Sequence, residues 1–206
     1  MKKITSIFLV AILYGCGSSV SPVDQGLIDQ VMHIGNGSEP QGLDPHVVTG
    51  VPEHHLLITM CEGLTISNPE GGANLPGMAE SWEISEDGKT YIFNIRKDAK
   101  WSNGDDFVAD DMVWSWMRVL TPSLGSQYPD MLYYVEGAED FNTGVITDFS
   151  EVGVKAIDDK TLEVKLNNPT PFFLGLLSHY STWPVHKETV LEFGEIDDRQ
   201  GLWTRP

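Results

Sequence analysis

Residues 78–119 set an alternating two-stranded element directly before a long amphipathic helix, and few chain paths satisfy both. Trp82-Glu83-Ile84 and Thr90-Tyr91-Ile92-Phe93-Asn94-Ile95-Arg96 flank Asp87-Gly88. Asp-Gly between alternating segments is a strong hairpin signal, because glycine accepts the positive φ that such turns require. Alternation turns Tyr91, Phe93 and Ile95 to one face and Ile92, Asn94 and Arg96 to the other. Lys100-Trp101-Ser102-Asn103-Gly104 then reads as turn chemistry. Beyond it Ala109, Met112, Val113, Trp116, Met117 and Leu120 share one face at helical spacing. Asp110 and Asp111 lie in the first turn, where the helix dipole favours anions. Val108 offers no side-chain acceptor, so the helix start is expected to be weak or displaced by about one residue. Thr121-Pro122 ends the helix.

The same pattern recurs downstream. Val152 to Ile157 and Thr161 to Leu166 flank Asp158-Asp159-Lys160, with Leu162, Val164 and Leu166 alternating with Glu163 and Lys165. Val31 to Ile34 reads as a first strand. Pro40 and Pro45 preclude a regular helix across Glu39–Pro45. Helical period returns near Glu53 to Cys61. Asn68-Pro69-Glu70-Gly71-Gly72 is a turn cluster. A last helix is expected from Lys187 to Phe193, with Gly194 as the residue just past its end. Hairpins, helices and long irregular connections define an α+β chain rather than regular βαβ alternation. No internal repeat, GxGxxG or P-loop string occurs.

Lys2 and Lys3 precede an apolar run from Ile4 to Leu13, followed by Gly15-Cys16. That is an export signal, and it falls short of the ~20 apolar residues a membrane span needs. Leu13-Tyr14-Gly15-Cys16 resembles the lipobox of bacterial lipoproteins, which makes Cys16 the expected lipidation site and residues 1–16 a lipoprotein signal peptide. Tyr14 is bulkier than that pattern usually carries. A plain signal peptide with an incidental cysteine is the other reading. Residues 17–30 read as a flexible tether, opened by Gly17-Ser18-Ser19. Cys61, in an apolar stretch, is expected to be a buried, inert thiol. Thirteen Lys and Arg against 30 Asp and Glu give a formal charge of −17. This argues against nucleic acid, whose phosphates need a basic patch. It says little about the preference of any one cleft.

Several segments together carry a family resemblance. They are Gly37-Ser38-Glu39-Pro40-Gln41-Gly42-Leu43-Asp44-Pro45-His46, Cys61-Glu62-Gly63-Leu64, the hairpin and Lys-Trp-Ser turn of residues 78–104, Gly153-Val154-Lys155-Ala156-Ile157-Asp158-Asp159-Lys160-Thr161-Leu162, Asn168-Pro169-Thr170-Pro171-Phe172-Phe173 and Pro184-Val185-His186-Lys187. In this order they resemble the peptide and nickel class of bacterial extracellular solute-binding proteins, the receptors of ABC importers. Gly50-Val51-Pro52-Glu53 and the hairpin wording are nearest to its oligopeptide-binding members. The resemblance implies a two-lobed fold of the periplasmic binding protein type II kind. Residues 31–61 would begin the first lobe, 62–186 form a smaller accessory domain, and 187–206 return to the first lobe. It further implies a chain that continues past Pro206, and weak or absent binding by this portion alone.

What the resemblance implies for function is capture of oligopeptides and delivery to an ABC permease and its ATPase. The receptor would be a monomer held at a membrane only by its lipid, in the periplasm or at the cell surface. No cofactor, metal or catalytic residue is implied. Such receptors take the ligand as an added strand against protein backbone, with roomy side-chain pockets. Thr49, Gly50, Val51 and Pro52 match the segment that lines the cleft, and Gly50 suits close backbone approach. Tyr128 matches a family tyrosine that reaches the ligand, and an aromatic with a polar tip suits a half-wet pocket. An ordinary loop at 49–52, and packing of Tyr128 beneath Tyr133-Tyr134, are the plainer readings. The acidic partner of a peptide's α-amine would lie outside this chain.

Other residues invite chemistry and are better explained structurally. Trp101, Trp114 and Trp116 suggest a stacking platform, yet Trp116 is on the apolar helix face and Trp101 anchors the turn. His46, His54 and His55 suggest a metal, but adjacent side chains diverge and packing or surface histidines fit better. Asp105, Asp106, Asp110 and Asp111 imitate a glycosidase pair without an apolar pocket to raise one pKa. Two alternatives stay open. One is the same scaffold serving a nickel chelate, a dipeptide, haem or an oligosaccharide. The other is a surface lipoprotein acting as adhesin or chaperone. An enzyme is the least supported reading.

Overall fold

Strand alternation becomes a four-stranded antiparallel sheet in the computed structural model, which describes residues 20–204. A short ribbon comes first, β1 (Thr65–Ile66) with β2 (Leu75–Pro76). The main sheet is built from β3 (Ala79–Ile84), β4 (Thr90–Ile95), β5 (Val154–Asp158) and β6 (Thr161–Lys165), in the order β3-β4-β6-β5. The two hairpins therefore join through their second strands, with Tyr91 opposite Val164 and Phe93 opposite Leu162. Tyr91, Phe93, Ile95, Leu162 and Val164 are all buried, so period-2 patterning selects one core face. The β3–β4 loop spans residues 85–89. Gly88 takes φ 70°, its N–H donates to Ser85 O, and Asp87 Oδ1 accepts from Lys89 N.

Six helices are described. They are α1 (Pro22–Asp29), α2 (Val51–Met60), α3 (Ala109–Leu120), α4 (Ala138–Asn142), α5 (Phe173–Leu176) and α6 (Lys187–Phe193). α3 packs on β5 and β6 and puts Met112, Trp116, Val119 and Leu120 into one core with Phe93, Leu162 and Val164. Truncating a buried aromatic such as Phe93 or Trp116 costs about 3–5 kcal/mol. The far side of α3 is covered too, because Trp114 packs with Val185 and Val190. The helix starts at Ala109 and is not displaced. Val108 indeed makes no side-chain cap. Instead Asp111 Oδ2 accepts from Val108 N at 2.9 Å and from Trp101 Nε1 at 3.1 Å, tying the helix to the preceding turn.

Four expectations need correction. The stretch read as a tether contains α1. Ser21 Oγ accepts from Asp24 N, Pro22 occupies the first turn, and Gln30 closes the helix at φ 56°. Val31 to Ile34 is not a strand. No strand among the described residues pairs with it, and Val31, Met32 and Ile34 are exposed. Gly194 follows α6 but at φ 179°, in extended backbone rather than a left-handed cap. A Cβ there would press on Asp198, so close approach is what asks for glycine. Cys61 is exposed, since α2 ends at Met60 and the next residue leaves the helix extended. The chain divides into two units between Gly37 and Ser38.

Candidate ligand-binding site

The prolines at 40 and 45 keep the chain irregular until a turn forms around Asp44. Its carbonyl accepts from Val47 N and Val48 N, each at 3.1 Å, and its Oδ1 accepts from His46 N at 3.0 Å. Arg118 reaches this turn from α3 and grips the carboxylate with both nitrogens, Nη2 to Oδ2 at 2.6 Å and Nη1 to Oδ1 at 3.0 Å. The pair is shut away from water, with the two side chains 0% and 4% exposed. Arg118 Nη1 also donates to His46 Nδ1 at 3.0 Å, and Nη2 to Asp198 O at 3.2 Å. A guanidinium only donates. His46 Nδ1 therefore accepts, and Nε2–H donates to Trp183 O at 2.9 Å. Burial, helped by the Arg118 charge, lowers the His46 pKa to about 4 and keeps the ring neutral. One arginine thus fixes the turn from which the 49–52 segment departs.

Thr49 is exposed, and Val51 is 64% exposed at the first position of α2. Tyr180 Oη holds the segment from behind by donating to Val48 O at 3.2 Å. Gly50 is the N-cap of α2, with φ −87°, a value open to any residue. The demand for glycine comes from Glu53, whose carboxylate folds back over this position and would collide with a Cβ. Within the chain, the group that approaches Gly50 is the Glu53 carboxylate.

Tyr128 is half-buried and packs with Leu57, Tyr180, Trp183 and Val48. Its ring meets His179 edge-on at 5.2 Å and Tyr180 at 6.3 Å. Burial first, then the neighbouring Tyr128, push the Tyr180 hydroxyl up to about 12. Its packing partners are therefore not Tyr133 and Tyr134; Tyr134 stands against Phe172 instead. A cavity of about 430 Å³ lies alongside, lined by Thr49, Val48, Asp44, Glu53, Gln41 and Gln127 among others. Thr49 and the Gln127-Tyr128 pair are thus brought to one region. Cys16 lies outside the described residues.

The other candidates fall to structure. Trp116 is fully buried, with Nε1 donating to Thr182 O at 2.9 Å, and Trp114 is buried. Asp106 pairs with Lys100 at 2.6 Å, and Asp111 serves the start of α3. His54 packs on Tyr180 and His46 belongs to the arginine network. Among the described residues no group of three His, Cys, Asp or Glu is arranged to hold a metal. Sequence reading missed Arg118, Tyr180 and Glu53. One signal for Arg118 was available: it is the lone cation in a helix whose other faces carry Trp114, Trp116 and Met117.

A hairpin-built sheet, a helix buried on two sides and an exposed turn braced from below make up this α+β structure, which its solved neighbours place as part of a type II periplasmic-binding-protein scaffold. A family model described as "Bacterial extracellular solute-binding proteins, family 5 Middle" matches residues 75–204, and the chain belongs to that family. It is 41% identical over 203 residues to the Escherichia coli periplasmic oligopeptide-binding protein OppA, covering 96% of this chain and 36% of that protein. It is 37% identical over 198 residues to the oligopeptide-binding protein OppA of Bacillus subtilis, covering 91% of this chain and 36% of the relative. The crystal structure of Haemophilus influenzae OppA in complex with RPPGFSPFR superposes with a TM-score of 0.73 at 40% identity, over 81% of this chain and 33% of that one. The chain spans about a third of the length of these relatives.

Proposed function

We propose that this chain is part of an extracytoplasmic receptor that captures oligopeptides and hands them to an ABC permease and ATPase for import. The observation that carries this is the 41% identity with an oligopeptide-binding protein across 96% of the chain. The geometry supports it: Thr49 and Gly50 lead from a braced turn into α2, which Val51 and Pro52 open, with Thr49 and Val51 exposed, and Tyr128 packs against Val48 nearby. An extended peptide adds to such a segment through main-chain hydrogen bonds, which are indifferent to side chains. In this reading residues 31–61 begin a first lobe, 62–186 make the accessory domain and 187–206 return to the first lobe, with capture by lobe closure. The receptor works as a monomer, binds rather than converts its ligand, and uses no cofactor. Residues 1–16 act as a signal peptide, and Cys16 carries the lipid that holds it in the periplasm or at the cell surface. No helix among the described residues is long and apolar enough to cross a membrane.

A segment swap tests the proposal. This chain replaces the matching third of the E. coli relative, and the chimera is titrated calorimetrically with tri-alanine. Binding within about tenfold of the parent protein supports peptide capture. A folded chimera that ignores peptides but answers to a nickel chelate or a sugar overturns the ligand.

A further inference from the structure

A single hydroxyl fixes the peptide unit that joins Val48 to Thr49. Val48 N donates to Asp44 O at 3.1 Å, inside the turn that Arg118 grips. Val48 O accepts from Tyr180 Oη at 3.2 Å. The next backbone tie is Gly50 O, which accepts from His54 N at 3.1 Å as α2 begins. Between these points Thr49 is exposed and makes no hydrogen bond among the described residues. A peptide unit is planar and trans, so its C=O and N–H point to opposite sides. Tyr180 draws Val48 O inward and thereby turns Thr49 N–H away from the packed cluster. Without that hydroxyl the plane is free to rotate while Val48 N and Gly50 O keep their bonds.

Tyr180 stands on a base that does not give. It is 3% exposed, so it supports its neighbours without meeting a ligand itself. It opens the short turn Tyr180–Thr182, which is tied from three directions. His179 Nδ1 accepts from Ser181 N at 3.3 Å, Trp116 Nε1 donates to Thr182 O at 2.9 Å, and His46 Nε2–H donates to Trp183 O at 2.9 Å. Burial holds the Tyr180 hydroxyl at about 12, so it remains a donor at neutral pH. The ring serves Tyr128 as well. The two rings meet edge-on at 6.3 Å, and Tyr128 and Val48 both pack on the cluster that Tyr180 forms with Leu57 and Trp183. One buried side chain therefore supports both the backbone segment and the ring assigned to ligand contact.

We propose that Tyr180 is a positioning residue of the binding site: its hydroxyl presets the Val48–Thr49 peptide plane and its ring sets Tyr128 before any ligand arrives. This rests on the peptide-capture reading, which supplies the two ligand contacts. Presetting them lowers the ordering cost of binding without adding a contact. Tyr180 thus contributes affinity for every peptide alike and takes no part in choosing between side chains.

Tyr180→Phe keeps the ring and removes only the hydroxyl, so it is the informative variant. In the 206-residue chain, amide relaxation NMR reads the order parameter of Thr49, with Phe93 and Leu162 in the sheet as controls. Thr49 is expected to fall from about 0.85 toward 0.6 in the variant while the controls hold. No change at Thr49, or an equal fall at the controls, overturns the proposal. The chimera described above, with and without Tyr180→Phe, is then titrated calorimetrically with tri-alanine and Ala-Phe-Ala, after urea denaturation has shown both forms folded at the assay temperature. Both peptides should bind about five- to tenfold more weakly in the variant, as loss of one supporting hydrogen bond implies. Unchanged affinity for both confines Tyr180 to packing, and a loss for one peptide alone makes it part of a side-chain pocket; either result overturns the proposal. If the unaltered chimera binds neither peptide, the capture reading falls, and the Thr49 order parameter still decides whether Tyr180 positions the segment.

Discussion

Arg118 Nη2 and Asp44 Oδ2 lie 2.6 Å apart with side chains 0% and 4% exposed, and this pair joins α3 to the turn that launches the 49–52 segment. Breaking one half of a buried pair is far worse than removing both, because the survivor keeps its desolvation cost without its partner. Arg118→Met is expected to lower unfolding stability by about 3–5 kcal/mol. Adding Asp44→Asn, which keeps an oxygen for His46 N, should recover most of that loss. Urea denaturation of the single and double variants measures both.

His46 makes stability depend on pH. Its folded pKa of about 4 lies below the ordinary 6.5, so between those values the unfolded chain binds more protons than the folded one. Stability is therefore intact above pH ~6.5 and falls as pH drops toward ~4, by at most about 3 kcal/mol. His179, also lowered by burial and by His54, adds loss of the same sign. His46→Gln keeps a donor for Trp183 O and removes the larger share. Urea midpoints across this pH range in the two proteins should diverge most at the acid end.

Gly50→Ala should be destabilising although its backbone angles suit alanine. The penalty, about 1–3 kcal/mol, comes from the clash with the Glu53 carboxylate. Combined with Glu53→Ala the penalty should largely vanish. A double-mutant cycle would give a coupling of about 1 kcal/mol or more, and additive effects would contradict the assigned cause.

Tyr128 separates packing from binding. In the chimera, Tyr128→Ala should weaken tri-alanine binding about tenfold or more. Tyr128→Phe keeps the ring against His179 and Tyr180 and should lose less. If alanine lowers stability alone and leaves calorimetric affinity unchanged, Tyr128 is a packing residue.

Local patterning made the sheet and α3 legible. Tyr91, Phe93 and Ile95 alternate so strictly that one register puts all three inside, and a one-residue slip would expose them. The helix start was harder, because its cap comes from Asp111 and the Trp101 indole rather than from Val108. What sequence left hidden is non-local. Nothing near Arg118 announces Asp44, 74 residues away. Cys61 looked buried because its neighbours are apolar, yet the chain leaves α2 just there and turns that residue outward. α1 went unread because its apolar residues Val23, Leu27 and Ile28 are exposed, so the capping signals at Ser21 and Pro22 were its only mark.

The strand order has a kinetic consequence. β4 and β6 are the inner pair of the sheet, and about seventy residues separate the partners Phe93 and Leu162. Either hairpin can close on its own in microseconds, but the sheet cannot, because loop closure over that distance precedes any reward from the central ladder. Until a growing chain has passed Lys165, Tyr91, Phe93 and Ile95 lack the strand that completes their face. The first hairpin and α3 wait on the second hairpin, and the slow step of folding is their meeting.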